Sequence, residues 1–361
     1  MIKIGIIGAG GISQVAHIPN FQKIDGVKVE AICDINEEKL KYVAEKFNIP
    51  KKFTDWEKMI EEEIDAVCIC SPNVYHAIQS IKAMENGKHV LCEKPICLSV
   101  KEAEDIFKTV EKTKKVFMGA FPRRFLGETI VLKKMIDEGF FGEIYYLKAS
   151  YLRRRGIPGL GTWFTSKKLA GGGPMMDVGV HVIDQVIYLS GLLEPEIVIG
   201  ATFEKFKDKA VDGGWPPVDT RKGDKPTGKM EVEDLATGFV KFKNGAVLFV
   251  EASWAGNSEV GLKGSLFGTK AGAQLPDPVD SKNPLRIYTE TNGIINDMIP
   301  EVPKIDVYFE EVKYFIDCIK GEKKPITKKE EIIAVTKIIE GIYKSAEKNE
   351  PVIIGGIDGK S

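Results

Sequence analysis

The first 120 residues alternate short apolar runs with amphipathic segments, and this pattern limits the possible folds more than any other feature of the chain. The apolar runs cover residues 2–7, 27–33, 64–70, 89–92 and 115–120. The segments with helical periodicity between them include 37–47, 75–86 and 99–114. Because strands covered on both faces read as continuous apolar runs, the pattern predicts βαβ units around a parallel sheet.

The pattern changes after residue 122, which places a domain boundary between residues 121 and 122. Strand-like periodicity dominates from 195 to 290, and Asn244-Gly245 between two apolar runs predicts a hairpin. The predicted strands are 143–151, 196–202, 235–242, 246–254 and 261–267, and the predicted helices are 126–138, 175–190, 305–320 and 328–348. The segment 212–229, rich in Gly, Pro and charge, is expected to be a long surface loop. The second part is therefore predicted to be an α+β domain with a largely antiparallel sheet.

Composition excludes several functional classes. The net charge is −1, from 51 basic and 52 acidic side chains, which argues against electrostatic binding to nucleic acid or to an anionic membrane. No apolar run approaches the roughly 20 residues of a membrane span, and the N-terminus does not read as a secretory signal. Six cysteines without a CxxC pair, and four scattered histidines, make a structural zinc site improbable. We expect no metal and a reduced, cytoplasmic compartment.

The sequence Gly-Ala-Gly-Gly-Ile-Ser at 8–13 follows the first predicted strand and opens a helical segment. Glycines there permit a tight turn and let the backbone approach a pyrophosphate at the helix N-terminus. Asp34 ends the second predicted strand, where a carboxylate accepts hydrogen bonds from the ribose hydroxyls of NAD. The alternative is an ordinary turn followed by a helix cap. Position and spacing favour cofactor binding by Gly8, Gly10, Gly11, Ile12, Ser13 and Asp34.

The residues around Asp34 predict NAD rather than NADP. The carboxylate repels a 2′-phosphate, and Ile35 and Asn36 follow it, so no arginine is placed to receive that phosphate. Lys39 and Lys41 lie nearby and can weaken the discrimination.

Two further motifs follow predicted strands, at the sheet edge where open α/β folds bind ligands. One is Ser71-Pro72-Asn73 with His76, and the other is Glu93-Lys94-Pro95. Lys94 can polarise a carbonyl or transfer a proton; the alternative is a solvated surface lysine. His76 is equally compatible with a helix residue that faces the core.

The segment 171–184 opens with three glycines and continues into a predicted helix. In a regular helix Asp177, His181, Asp184 and Tyr188 form one polar stripe. A histidine beside a carboxylate is suited to general acid–base chemistry near neutral pH. The alternative is a structural His–Asp pair.

Three successive arginines, 153–155, follow a predicted strand that leads toward this helix. In a strand Arg153 and Arg155 would share one face, and their forked donors suit a carboxylate or phosphate. We therefore predict a substrate with an anionic group. The alternative is a solvated edge, or ion pairs at an oligomer interface.

Taken together, these motifs resemble the Gfo/Idh/MocA family, which includes glucose-fructose oxidoreductase and inositol 2-dehydrogenase. The matching positions run in order from residue 1 to about 270: 8–13, Asp34, 71–73 with His76, 93–95, 119–125, 171–184, 233–234 and 267–270. The resemblance implies an α/β protein with an N-terminal Rossmann NAD-binding domain, 1–121. It also implies a C-terminal domain, 122–361, with a large, mostly antiparallel open sheet that often forms the interface of a homodimer or homotetramer.

The resemblance also implies site residues. Lys94, Asp177 and His181 match the catalytic lysine and the Asp-x3-His pair of the family. Around the nicotinamide it implies cofactor contacts from Ser71, Pro72, Asn73, His76, Glu93 and Lys94. Pro122 stands where the family often has Asn, and the 212–229 loop matches no member that we can place. Candidate substrate contacts are Arg153, Arg155, Trp163 and Asp184.

The predicted function is an NAD-dependent dehydrogenase that oxidises a secondary hydroxyl of a polyol, sugar or sugar derivative, or reduces the corresponding ketone. His181 takes the hydroxyl proton, Asp177 orients and stabilises His181, and Lys94 stabilises the alkoxide. One alternative is a glycosidase-like lyase or epimerase that uses bound NAD transiently. Another is a non-catalytic dinucleotide-binding regulator, although a regulator has no need of all three residues.

Overall fold

The computed structural model describes residues 1–209, 212–224, 228–276 and 284–355. Its first sheet has six parallel strands: β1 (Ile2–Ile7), β2 (Val27–Cys33), β3 (Lys51–Phe53), β4 (Ala66–Ile69), β5 (His89–Cys92) and β6 (Phe117–Gly119). Their order in the sheet is β3-β2-β1-β4-β5-β6. Because the order reverses between β1 and β4, a ligand crevice is expected at the carboxyl ends of these two strands.

Helices cover both faces of this sheet, as its mostly apolar central strands require. They are α1 (Ile18–Gln22), α2 (Glu37–Lys46), α3 (Trp56–Ile60), α4 (His76–Glu85) and α5 (Val100–Thr113). A π-helical turn, Ser13–His17, precedes α1. The side chain of Asn36 caps α2 by accepting from the backbone N–H of Lys39.

The second sheet has nine described strands and is mostly antiparallel. They are β7 (Ile144–Leu152), β8 (Pro195–Phe203), β9 (Leu235–Phe242), β10 (Val247–Ser253), β11 (Gly261–Gly268), β12 (Ala271–Leu275), β13 (Arg286–Thr291), β14 (Ile294–Met298) and β15 (Val352–Ile353). They are ordered β14-β13-β12-β11-β7-β10-β9-β8-β15, and β7 and β10 run parallel. The predicted fold class, a Rossmann-type parallel sheet followed by a mostly antiparallel open sheet, is confirmed.

The later helices divide between the two sheets. These helices are α6 (Gly127–Asp137), α7 (Lys167–Ala170), α8 (Val180–Ser190), α9 (Val307–Ile319) and α10 (Lys329–Lys348). Helices α8 and α10 pack on the second sheet, whereas Phe315 and Ile316 of α9 join the core of the first sheet with Ile4 and Ile18. The division at residue 121 therefore stays a prediction, with one late helix packed on the first domain. Among the described residues, no helix combines the length and apolar character needed to cross a membrane.

Candidate active site

A cavity of about 250 Å³ lies where the two domains meet, beyond the carboxyl ends of β1, β4 and β5. Residues of both domains line it. Of the predicted site residues, it brings together Ile12, Ser71, Asn73, His76, Glu93, Lys94, Arg153, Trp163, Asp177 and His181. Residues far apart in the sequence thus converge at the switch point of the first sheet, where the fold places ligands.

Lys94 and Asp177 form the central ion pair of this cavity. The Lys94 ammonium donates to Asp177 Oδ1 and to the Asp177 backbone carbonyl, each at 2.9 Å. The second carboxylate oxygen, Oδ2, accepts from the indole N–H of Trp254 at 2.9 Å. Burial alone would raise the pKa of Asp177, but the charges of Lys94 and Arg153 outweigh it and lower that pKa to about 2. Asp177 is therefore a carboxylate at neutral pH and fixes the position of the Lys94 ammonium.

His181 is half-buried at the cavity, and its Nδ1 atom is sealed from solvent without a hydrogen-bond partner among the described residues. Burial lowers the pKa of His181 well below its usual value, and the charges of Lys94 and Arg123 lower it further. The imidazole is therefore neutral at pH 7 and can accept a proton. The expected orientation of His181 by Asp177 is not seen, because the Asp177 carboxylate is bonded to Lys94 and Trp254.

Asp184 does not reach the cavity, contrary to the predicted polar stripe. Its carboxylate forms a two-point ion pair with the fully buried Arg124, at 3.0 and 2.6 Å. Residues Met175–Gly179 form a π-helical turn, and α8 begins only at Val180. A π turn holds one extra residue, which rotates the following side chains by about 100° relative to a regular helix. Asp177 and Asp184 consequently face different surroundings.

The arginines that follow β7 also lie in different environments. Arg153 lines the cavity and donates to the backbone carbonyl of Gly156 and to the Tyr151 hydroxyl. Arg155 is exposed, lies outside the cavity lining and bonds to Gly256 and Asn257. They do not share a strand face, because β7 ends at Leu152. Only Arg153 is placed to contact a ligand in the cavity.

The glycine-rich turn fits a dinucleotide. Gly8 has a φ of +100°, and a Cβ there would lie 2.5 Å from the Cys70 carbonyl oxygen. A Cβ on Gly10 would meet no atom within 4 Å, so the turn leaves open space above this residue. Ser13 replaces the third glycine and donates to the Gly10 carbonyl at 2.8 Å. Asp34 accepts from the backbone N–H groups of Ala9 and Asn36, which ties the end of β2 to the turn.

The 71–76 loop bonds both to the second domain and to the loop that follows β5. Asn73 donates to the Ala170 carbonyl of the second domain at 2.8 Å. The two ring nitrogens of His76 contact the carbonyls of Pro95 and Ser71, at 2.7 and 2.8 Å. His76 therefore links the two loops that follow β4 and β5, and the Ser71 carbonyl that it contacts belongs to the peptide bond between Ser71 and Pro72.

Glu93 is buried beside Lys94 and is held by a histidine that the sequence motifs do not single out. Glu93 Oε1 lies 2.7 Å from Nε2 of His17, and Oε2 accepts from the Lys94 backbone N–H. Burial lowers the pKa of His17, but the nearby Cys70 and Glu93 outweigh it and raise this pKa to about 9. The imidazolium of His17 thus neutralises the charge of Glu93 beside Lys94.

Sequence reasoning missed several other residues of the cavity. Trp254, which bonds Asp177, stands at the end of a predicted strand with no local signal of its role. Tyr308 and Trp215 line the cavity from segments distant in sequence. Spacing within one segment cannot reveal such contacts, because the fold alone brings these segments together.

Comparison with known proteins agrees with this geometry. Residues 2–121 match the family model described as an oxidoreductase family with an NAD-binding Rossmann fold, and residues 130–274 match the GFO/IDH/MocA C-terminal domain. The chain belongs to the GFO/IDH/MocA family. The resemblance seen in the motifs is confirmed, and with it the expectation of an oxidoreductase.

Among the characterised members, D-glucoside 3-dehydrogenase of Escherichia coli is 31% identical over 353 residues, which are 96% of this chain and 95% of that protein. Levoglucosan dehydrogenase of Pseudarthrobacter phenanthrenivorans is 30% identical over 262 residues, 70% of this chain and 67% of that protein. A solved structure of levoglucosan dehydrogenase with NADH and L-sorbose superposes with a TM-score of 0.81, covers 99% of both chains and is 24% identical. This last likeness concerns the fold.

Proposed function

We propose that the protein is an NAD-dependent dehydrogenase that oxidises a secondary hydroxyl of a cyclic sugar or polyol. One observation carries this proposal: the Lys94–Asp177 ion pair and the neutral His181 line one cavity beside a glycine-rich turn that fits a dinucleotide. Similarity to D-glucoside 3-dehydrogenase, levoglucosan dehydrogenase and a myo-inositol 2-dehydrogenase supports the substrate class.

Each side chain has a distinct part in this reaction. When bound, NAD supplies the hydride acceptor. His181, kept neutral by its surroundings, accepts the proton of the substrate hydroxyl. The Lys94 ammonium stabilises the negative charge that develops on the substrate oxygen, and Asp177 together with Trp254 fixes that ammonium. Asp177 therefore acts on Lys94 and not on His181.

The cavity walls indicate how the substrate is held. Trp163 and Phe164 both line the cavity, with ring centroids 3.9 Å apart, and offer an apolar surface to a sugar ring. Arg153 offers charged donors on the same cavity, which suits an anionic group on the substrate. We propose a sugar or polyol that bears a carboxylate or phosphate.

A substrate screen tests the proposed function. Purified protein is incubated with NAD and a panel of glucosides, anhydrosugars, inositols, sugar acids and sugar phosphates, and nicotinamide absorbance is followed. The expected result is net NADH formation with at least one panel member. Product formation without net NADH would instead identify a lyase or epimerase. Dinucleotide binding without conversion of any sugar would identify a regulator.

We also propose NAD rather than NADP, a cytoplasmic location and a homodimer or homotetramer. The carboxylate of Asp34 at the ribose end supports the cofactor preference. The second sheet turns large apolar side chains outward, and those more than a third exposed include Ile199, Phe239, Phe267 and Tyr288. Apolar patches on a surface are typical of protein interfaces, so sedimentation of the purified chain should give two or four copies.

A further inference from the structure

Residues 212–224 of the second domain, which we term the strap, lie across the cofactor turn of the first domain. A Cβ placed on Gly11 would meet Pro216 at 2.3 Å and the Thr220 hydroxyl at 3.2 Å. The buried Thr220 also accepts, through its backbone carbonyl, from the Gln14 side chain at 3.3 Å. The strap is braced internally by an Arg221–Asp212 ion pair. It therefore passes directly over the turn while the space above Gly10 stays open.

The end of the strap reaches the residues that follow Asp34. The Gly223 carbonyl accepts from the Asn36 side chain at 2.6 Å, and Asp224 forms an ion pair with Lys39. Asn36 caps α2 through the Lys39 N–H and donates its own backbone N–H to Asp34. Asn36 therefore connects the backbone of Lys39 to Asp34, the carboxylate that is placed to bind the ribose. The side-chain amide nitrogen of Asn36 and the ammonium of Lys39 are both bonded to the second domain.

We propose that Asp224 sets the preference for NAD over NADP by occupying Lys39, an inference that rests on the dinucleotide site of the proposed function. A 2′-phosphate binds where a cation near the ribose can receive it, and a carboxylate there repels it. With Asp34, Lys39 and Asp224 together, the formal charge of this group is −1. Without Asp224 it is zero, and the Lys39 ammonium is free to turn toward the phosphate.

The Lys39–Asp224 ion pair is sufficiently buried for its charges to affect dinucleotide selectivity. The side chains of Lys39 and Asp224 are only 11% and 26% exposed. Salt screens exposed charges most and partly buried charges least. A second-domain carboxylate thus acts on the selectivity of a first-domain site.

The test measures binding and does not depend on turnover. Dissociation constants of NADH and NADPH are determined by fluorescence titration for the wild type, Asp224→Asn and Asp219→Asn. Asp219 lies on the same strap but pairs with Lys46, so its variant removes an equal charge away from Lys39. We expect Asp224→Asn to lower the ratio Kd(NADPH)/Kd(NADH) about tenfold, equivalent to about 1.4 kcal/mol, and Asp219→Asn to leave it unchanged.

A second pair of variants changes the lysine of the Lys39–Asp224 ion pair. Lys39→Met leaves Asp224 without its partner and should raise the ratio. When Lys39→Met is added to Asp224→Asn, the tenfold fall in the ratio Kd(NADPH)/Kd(NADH) should disappear. The inference fails if the ratio for Asp224→Asn stays within twofold of the wild-type ratio, or if Asp219→Asn lowers the ratio equally. Either result leaves the proposed function intact. A wild type that binds neither dinucleotide overturns the proposed function and this inference with it.

Discussion

Asp177 and Asp184 lie seven residues apart on one helical segment, and each pairs with a basic side chain, yet their surroundings differ. Asp177 pairs with Lys94, whose side chain is 17% exposed, at the wall of the cavity between the domains. Asp184 pairs with Arg124, whose side chain is fully buried and also bonds Glu331 of α10. The first pair has access to a ligand, whereas the second has none.

The difference shows that a buried ion pair is not by itself a catalytic signal. Burial lowers the pKa of Arg124, but the carboxylates of Asp184 and Glu331 outweigh it and raise that pKa, so the guanidinium stays charged. It also donates to the Ile326 carbonyl, which joins the segment after β6 to α8 and α10. The Arg124 cluster therefore holds elements together. Its removal should cost stability, while removal of the cavity pair should cost turnover.

The largest expected effect is on turnover, at the cavity. His181→Ala removes the proposed base, and general-base catalysis contributes about 10²–10⁴-fold, so kcat should fall by that factor. Lys94→Ala should lower kcat similarly, because it removes the charge that stabilises the substrate oxygen. Steady-state kinetics with the substrate found in the screen measures both.

NADH titration and thermal melts of the same variants provide the control. NADH affinity should stay near the wild-type value for His181→Ala, with some loss for Lys94→Ala. Near-full turnover in His181→Ala, or an effect confined to the melting temperature, would mean that His181 is structural.

The second prediction concerns the Arg124 cluster. Arg124→Met leaves two buried carboxylates without their partner, which typically costs about 3–5 kcal/mol of unfolding free energy. Urea unfolding measures that loss, and kcat of the remaining folded protein should stay close to wild type. A stable variant with strongly reduced kcat would show that this cluster also serves the reaction.

The comparison also shows how far sequence reasoning reaches. Continuous apolar runs predicted five of the six strands of the first sheet but not β3, which reads Lys-Lys-Phe, and the predicted 235–242 strand has the same bounds as β9. Strands β13 and β14 were missed, although Asn292-Gly293 between them has positive φ at both residues and is the same hairpin signal as Asn244-Gly245. Short strands at the edge of a sheet carry little periodicity, so their turn is the better signal.

The candidate site was predictable only in part. The positions of Lys94, Asp177 and His181 follow from motifs at strand ends and helix starts. Helical spacing did not foresee the π turn at Met175–Gly179, so Asp184 was placed on the wrong face. The partners Trp254 and His17 come from other segments, and only the folded chain joins them to Asp177 and Glu93.

A smaller effect should separate Arg153 from its neighbour Arg155. Arg153→Ala removes charged donors from the cavity, and a hydrogen bond to a charged group contributes about 1.5–3 kcal/mol, so KM for an anionic substrate should rise at least tenfold. Arg155→Ala is the matched control, since this side chain bonds Gly256 and Asn257 outside the cavity. Steady-state KM values of the wild type and both variants, for a charged and an uncharged sugar, test this prediction. Equal KM in wild type and Arg153→Ala would argue against an anionic substrate.

The smallest expected effect is on the pH dependence of the reaction. Burial lowers the pKa of His181, and the charge of Lys94 lowers it further. A base acts in its deprotonated form, which exists above its pKa, so a lowered pKa extends activity to more acidic pH. The acid limb of kcat/KM, which reports the free enzyme, should therefore lie below the ordinary histidine value of about 6.5.

The Lys94→Met variant sharpens this last test, because it removes one positive charge that opposes protonation of His181. The pKa of His181 should rise, by an amount that an NMR titration of the imidazole measures even where turnover is too slow to follow. In Arg155→Ala the same titration should change little, because Arg155 is exposed and lies outside the cavity lining. An unshifted His181 in Lys94→Met, or an acid limb at or above pH 6.5 in the wild type, would mean that the cavity does not hold its base neutral. The distinction between a reactive and a structural ion pair would then need another physical basis.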